Sequence, residues 1–255
     1  MAEAVDAGDP GAVVDALRSS PADVRWLDAP APVDPARSPL LVDVRRAVVE
    51  AATSVVAAAR RGDGPAALDA LRSVQVLCAH RRGPSGAGAW RAEIERWLRT
   101  AISGFGVAAP GSQPGYHSRA WYAGRPLLVT ANDYGLGVFN GDTGVVIDTD
   151  PGGSGRLRAV FDRRGEPLSV RPARLASVES LYAMTIHKAQ GSQFGAVVVV
   201  LPEAGSPLLT RELLYTAVTR AEHHLTVVAA EDAVRAAVAR PIARASGLPE
   251  ALWKP

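Results

Sequence analysis

Residues 181–220, LYAMTIHKAQGSQFGAVVVVLPEAGSPLLTRELLYTAVTR, constrain the fold of this chain more than any other stretch. A strand ending at Thr185 opens into a polar turn carrying His187, Lys188, Gln190 and Gly191. The run Ala196–Leu201 is apolar, β-branched and short, which reads as a buried strand rather than a helix. A helix over Leu213–Arg220 follows and leads into a further strand, Leu225–Ala229. Strand, turn, strand, helix, strand is the order of an open α/β fold with a parallel sheet, and such sheets bind ligands at an edge.

Upstream, the same alternation continues. Val44, Ala47, Val48, Ala51, Val55 and Ala59 recur at helical spacing and predict a helix over Val42–Arg61, stopped by Gly62-Asp63-Gly64-Pro65. A short helix, Ala66–Arg72, leads into Val74–Ala79, an apolar run suited to a buried parallel strand. Trp90–Ile102 is amphipathic, with Ile94, Trp97, Leu98 and Ala101 on one face. Residues 1–40 are mixed: a short helix closes over Asp15–Ser19, and PADVRWLDAPAPVDPARSP reads as a proline-rich surface connection. Gly104–Ser118 reads as a mobile loop rich in glycine and proline. Between Gly124 and Ala176 the pattern changes to short β runs separated by Asn-Asp and Asn-Gly-Asp turns, a GGSG stretch and a charged hairpin at Arg163–Glu166. That pattern predicts a small antiparallel barrel inserted into the larger domain.

At 255 residues, 47% of them hydrophobic, the chain has room for one large domain or a domain plus an insert. No apolar run approaches the roughly 20 residues that span a bilayer, and the amino terminus lacks the basic and apolar regions of a signal peptide. A cytoplasmic protein with no membrane association is the expectation. The single cysteine, Cys78, excludes an internal disulfide and a thiolate metal cluster, and within VQVLCA it reads as a core thiol. A net charge of +2 is too small for a global positive field, so nucleic-acid binding requires local basic patches.

No GxxxxGK[ST] phosphate cradle occurs, because GDGPAALDA has neither the lysine nor the spacing. No strand-borne Asp-Glu pair for magnesium, HExxH, GxSxG or cysteine–histidine pair is evident, so no metal site and no nucleotide hydrolysis by this chain alone are expected. Arg220 closes a helix ahead of a strand, where a planar guanidinium can grip phosphate; alternatively it caps the helix dipole. Arg81 follows a strand and offers a similar geometry. Thr185, His187, Lys188 and Gln190 form a dense cluster of groups suited to a sugar–phosphate backbone, although each taken singly is an ordinary surface or capping residue. Asn132-Asp133 and Asn140-Gly141-Asp142 are turn formers by default, and a role for their hairpin in touching DNA is the lesser reading. Tyr116, Trp121 and Tyr122 offer stacking faces for bases or serve as core and hinge residues.

With these residues in view, YAMTIHKAQGSQF resembles motif V and LLYTAVTRA motif VI of superfamily 1 DNA helicases. VQVLCAHRRGPSGAGAW resembles the motif IV region of the RecD branch, the exodeoxyribonuclease V alpha subunits, and RPLLVTANDYGLGVFNGDTGVV resembles that branch's inserted SH3-like barrel. The resemblance covers roughly residues 70–230. It implies a RecA-like parallel sheet flanked by helices (domain 2A, 73–123 and 177–235), an SH3-like 2B insert (124–176), a linker and helical lead-in (1–72) and a tail (236–255). It also implies the second motor domain of an ATP-dependent 5′–3′ helicase acting in DNA double-strand break repair and recombination.

By the same resemblance Arg220 is the arginine finger and Arg81 a phosphate-sensing arginine, the two catalytic residues. Gly191 and Gln193 lie on the nucleotide, and Thr185, His187, Lys188 and Gln190 on the DNA. Position 193 is usually glutamate, which contacts the ribose; glutamine still hydrogen-bonds a hydroxyl, so weakened nucleotide positioning is expected. ATP and Mg²⁺ are implied for the intact subunit only. The implied partners are single-stranded DNA, the amino-terminal RecA-like domain of the same subunit, and the beta and gamma subunits of exodeoxyribonuclease V. Motifs I–III belong to the other motor domain, so their absence suggests a truncated chain or partial gene product, inactive alone and without a nuclease centre. The rival expectation is a non-enzymatic module that clamps single strands or docks subunits. The motor reading expects Arg81 and Arg220 to converge on one pocket.

Overall fold

A computed structural model describes residues 1–19, 22–107, 121–150, 156–163 and 167–242. Tyr116, most of the 104–118 loop, the GGSG stretch, the tip of the Arg163–Glu166 hairpin and the end of the tail lie outside these residues.

The chain begins with two helices, α1 (Ala2–Ala7) and α2 (Pro10–Arg18), the second capped by Asp9, whose carboxylate accepts from the Ala12 amide. Strand β1 (Val24–Leu27) follows, then α3 (Val42–Arg60), α4 (Gly64–Leu71), β2 (Val74–Cys78) and α5 (Ala87–Ala101). Four antiparallel strands come next: β3 (Pro126–Val129), β4 (Thr143–Asp148), β5 (Leu157–Phe161) and β6 (Leu168–Val170). The last third holds β7 (Val178–Ser180), β8 (Ala183–Thr185), β9 (Phe194–Val200), α6 (Arg211–Val218), β10 (Ala221–Val228) and α7 (Glu231–Ala239).

The strands form two five-stranded sheets. One is parallel, in the order β1-β10-β9-β2-β8. At its centre β9 is a near-continuous valine run, and Val197 to Leu201 are all buried, as a strand covered on both faces requires. Helices α1, α2, α6 and α7 supply Val5, Val13, Leu213 and Val234 to one face. Helices α3 and α5 supply Val44, Trp90, Ile94 and Leu98 to the other. Cys78 lies fully buried in that second layer, where burial pushes its thiol up beyond reactivity, so it is a core residue as expected.

The other sheet is antiparallel, in the order β6-β5-β4-β3-β7. Alternation along β4 and β5 splits its side chains between two cores. Val145, Ile147 and Val160 pack on α3 and α4, whereas Val146, Ala159 and Phe161 face the sheet's own interior with Trp121 and Leu127. Among the described residues no ladder joins β6 to β7.

Two boundaries differ from the sequence-based expectation. The proline-rich segment of the lead-in contains β1, an edge strand of the parallel sheet whose Trp26 Nε1 donates to the Ala229 carbonyl at 2.9 Å. The insert also extends past residue 176, since β7 pairs with β3 rather than with the parallel sheet. Both strands are too short, at four and three residues, to show a period. Among the described residues no helix is long and apolar enough to cross a membrane.

Gly124 is where the chain turns into the insert. Its φ is +88°, and a Cβ there would stand 2.6 Å from Val56 Cγ2 and 2.9 Å from Val56 Cα on α3. Left-handed backbone and overpacking therefore both oppose a side chain. Gly124→Ala is expected to lower stability by about 2 kcal/mol, read as a drop in urea midpoint with little change in m-value.

Candidate functional site

Helix α6 runs back against the direction of the strands. Thr210 starts it by accepting the Leu213 amide on its hydroxyl at 3.3 Å, and the helix delivers Arg220 to the amino-terminal end of β10. There the guanidinium is half-buried and tied on three sides. Its Nε donates to the Thr216 carbonyl, Nη1 to the Ser192 carbonyl and Nη2 to the Thr219 hydroxyl, each at 3.0 Å. All three partners are neutral. No carboxylate pairs with Arg220 among the described residues, so its charge is positioned but not neutralised, and two of its five N–H donors remain available.

The Ser192 carbonyl belongs to the turn leading into β9. Gly191 adopts φ +85° with nothing near the position of a Cβ, and the Ser192 amide donates to the Ala189 carbonyl at 3.0 Å. Gln193 is exposed beside it. Gly191, Gln193 and Arg220 thus stand together on the amino edge of the parallel sheet. A cavity of about 1160 Å³ opens there between the strand starts, α3, α4 and the insert. Its wall carries Glu50, Asp69, Asp162 and Glu222 against one cation, Arg72, which is itself paired with Asp162. A triphosphate does not suit that acidic interior. The rim at residues 191–193, with Arg220 behind it, can offer a ribose hydrogen bond and a guanidinium, but no phosphate cradle or magnesium ligands.

The carboxyl edge is organised differently. Beyond Thr185 the backbone makes a 3₁₀ turn, Ile186–Ala189, which exposes His187 and Gln190 and half-buries Lys188. Lys188 Nζ lies 3.2 Å from Glu179 Oε2. The same carboxylate receives Arg91 of α5 at 3.2 Å and the largely exposed Arg81 at 3.4 Å. One acid on β7 of the insert therefore holds three cations from the parallel-sheet layer. Burial pushes the Glu179 carboxyl up, but the hydrogen bonds and charges of Lys188 and Arg91 outweigh it and leave the group below its ordinary value.

The expected convergence of Arg81 and Arg220 does not occur. Cys78, Val200 and Val228 are level with one another across the parallel sheet. Arg81 lies three residues beyond that level, and Arg220 eight residues before it. The two are roughly 20 Å or more apart along the strands, on opposite edges. Arg81 keeps company with Lys188 instead.

Two of the expected stacking residues are structural. Trp121 is buried with the Arg125 guanidinium 4.6 Å from its ring centre, and the Tyr122 hydroxyl meets that of Tyr182 at 2.9 Å. Glu179 is the site residue that sequence reasoning missed. A lone acid in ASVESLYA carries no motif, and only its strand's place in the insert reveals its partners.

Comparison with known proteins now adds to this geometry. A family model described as the UvrD-like helicase C-terminal domain matches residues 180–228. The RecBCD enzyme subunit RecD of Mycobacterium tuberculosis strain H37Rv is 47% identical over 248 residues, covering 97% of this chain and 39% of that protein. RecD of Mycolicibacterium smegmatis is 43% identical over 248 residues, covering 97% of this chain and 40% of that protein. The ATP-dependent RecD2 DNA helicase of Deinococcus radiodurans is 33% identical over 168 residues, 66% of this chain and 22% of that one. A solved structure, Bacteroides Pif1 bound to ssDNA, aligns with a TM-score of 0.38 at 15% identity over 70% of this chain and 48% of that one, a likeness too distant to bear on function. The chain spans about two fifths of the length of the RecD relatives.

Because the folded Glu179 titrates below its unfolded value, its contribution is complete above about pH 4.5 and disappears as pH falls through the folded value. Glu179→Gln is expected to cost about 1 kcal/mol at pH 7. In urea melts at a series of pH values, the gap between the two proteins should begin to narrow as pH falls below about 4.5 and close on further acidification.

Proposed function

We propose, on the footing that this chain is homologous to RecD subunits along nearly its whole length, that it forms the carboxyl-terminal motor domain of an ATP-dependent DNA helicase subunit. The observation that carries the reading is an arginine fixed by three neutral acceptors and, among the described residues, left without a counter-ion, beside the Gly191–Gln193 turn. A guanidinium held in this way is prepared for an anion brought by another lobe. The parallel-sheet layer is the RecA-like 2A domain of that motor, and the antiparallel insert is the counterpart of its SH3-like 2B module. The whole subunit translocates 5′ to 3′ on single-stranded DNA within a RecBCD-type complex, in the cytoplasm, in the repair of double-strand breaks.

In this assignment ATP with Mg²⁺ supplies the phosphoryl chemistry, and its cradle and metal ligands come from the amino-terminal domain of the same subunit. Gln193 hydrogen-bonds the ribose, and the Gly191 turn lets the backbone come close. Arg220 holds charge that develops on the phosphate, a role that contributes on the order of 10³–10⁵ in rate only when the phosphate is held elsewhere. Gln190, farther along the same segment where the chain crosses toward the Gly191 turn, faces the DNA backbone, and Thr185, His187 and Lys188 face it from the carboxyl edge. Arg81 joins them there, because its position separates it from the nucleotide. The chain by itself turns over no ATP and contains no nuclease centre.

One observation favours a second reading. The acidic wall of the amino-edge cavity, with Glu50, Asp69 and Glu222 outside any ion pair among the described residues, suits a cationic protein surface better than a nucleotide. A helicase-derived docking module would use that surface and leave Arg220 without a catalytic task.

Arg220→Ala in the intact subunit separates the two. As a finger, the residue acts mainly in the transition state, so ATP turnover should fall by about 10³-fold or more while nucleotide affinity stays within about tenfold. Normal turnover excludes the role. For the chain alone, DNA-stimulated phosphate release should be absent, and robust release would reveal a complete site.

A further inference from the structure

Tyr134 and Phe139 are exposed at 80% and 40% in the hairpin between β3 and β4, whose flanking Asn-Asp and Asn-Gly-Asp the sequence marks first as turns and only secondarily as a contact with DNA. Their rings stand edge to face, with centroids 5.9 Å apart and planes at 72°. The Arg163 guanidinium lies 5.3 Å from the Phe139 ring centre. Arg163 is itself anchored, donating to Asp142 Oδ2 at 2.7 Å and to the Gly137 carbonyl.

The backbone beneath the rings is heavily cross-tied. Asp133 and Val138 exchange both backbone hydrogen bonds, at 2.8 and 3.1 Å. The Asp133 carboxylate accepts the Leu136 amide at 3.0 Å, and that of Asp142 accepts the Phe139 amide at 2.7 Å. Asn132 accepts the Asn140 amide at 2.8 Å and donates to the Tyr134 hydroxyl at 3.3 Å. Both nearby carboxylates are thus engaged inward, and the outward surface is two rings and a guanidinium. An exposed aromatic held in place this firmly loses little entropy on binding a flat partner.

We propose that this hairpin is a stacking site for an unpaired nucleobase, with Tyr134 as the face the base lies against. The proposal rests on the single-strand-binding reading above and extends it to a surface of the insert that the motifs do not reach. Aromatic faces accept any base, and an arginine beside them strengthens the contact with a strand. Location supports the assignment. Leu128 pairs with Glu179 in the β3–β7 ladder, and six residues of chain separate Leu128 from Tyr134. The rings therefore lie no more than about 20 Å of chain from the strand that gathers Lys188 and Arg81. One strand can touch the cations with its phosphates and the rings with a base.

The test compares two probes of equal length and charge by fluorescence anisotropy, an oligothymidylate and a wholly abasic strand. Tyr134→Ala should weaken oligothymidylate binding about tenfold and leave abasic binding unchanged, and Tyr134→Phe should retain the affinity. A 2-aminopurine placed in the strand should be quenched by the unsubstituted chain and by Tyr134→Phe but not by Tyr134→Ala. Lys188→Ala should weaken both strands alike, which checks the single-strand reading separately. Equal loss on both strands with Tyr134→Ala, or no loss on either, overturns the stacking site even where Lys188→Ala behaves as expected. Failure of the unsubstituted chain to bind either strand overturns both.

Discussion

The burial of β9 on both faces is the constraint from which the other positions follow. Val197 through Leu201 have no solvent-facing side, so the strand must be paired in register with β10 and β2 and covered by helices above and below. Once that register is set, every connection is assigned to one edge of the sheet. The turn at Gly191–Gln193 and the end of α6 fall on the amino edge; the segment after β2 and the start of the one after β8 fall on the carboxyl edge. Residues that look equivalent in the sequence, each an arginine at a strand terminus, are thereby given different surroundings. One is a cation with no counter-ion among the described residues, beside an acidic cavity, and the other shares a carboxylate with two further cations.

Much of this arrangement is legible in the sequence. The expected helix over Val42–Arg61 matches α3 to within a residue, and the valine run marks the central strand. Their periods are long enough, or their composition apolar enough, to dominate the local pattern. Strand β1 carries no legible signal because VRWL sits among prolines and packs as an edge, where four residues suffice. The distance between Arg81 and Arg220 was written in the order of elements. Arg81 follows a strand and Arg220 precedes one, and in a parallel sheet those are opposite edges. What no order of elements contains is the place of Glu179, whose partners come from three separate segments. The outward turn of Tyr134 and Phe139 was equally hidden, since exposure of an aromatic depends on what fails to pack over it.

The two edges make different demands on the rest of the protein. On the carboxyl edge, Glu179 ties the insert to the sheet through cations that a DNA backbone would also attract. A carboxylate and a phosphate compete for the same donors, and of the three cations Arg81 is the most exposed and so the easiest to exchange, while Arg91 is the least. If the proposed strand binding holds, it and insert docking would be coupled through these shared cations, with no conformational change needed beyond side-chain exchange.

On the amino edge the logic is reversed, because attraction is deliberately incomplete there. Four carboxylates around the cavity would repel a triphosphate, yet Arg220 stands at its border with a spare charge. An arginine paired with one of those acids would be better satisfied in isolation and useless to a partner. Holding it by carbonyl and hydroxyl oxygens alone keeps it oriented at small cost while its charge remains available to an anion that arrives already bound to something else. Under the motor reading the acidic wall would serve the same end from the other side, since carboxylates disfavour a free nucleotide that no second lobe holds.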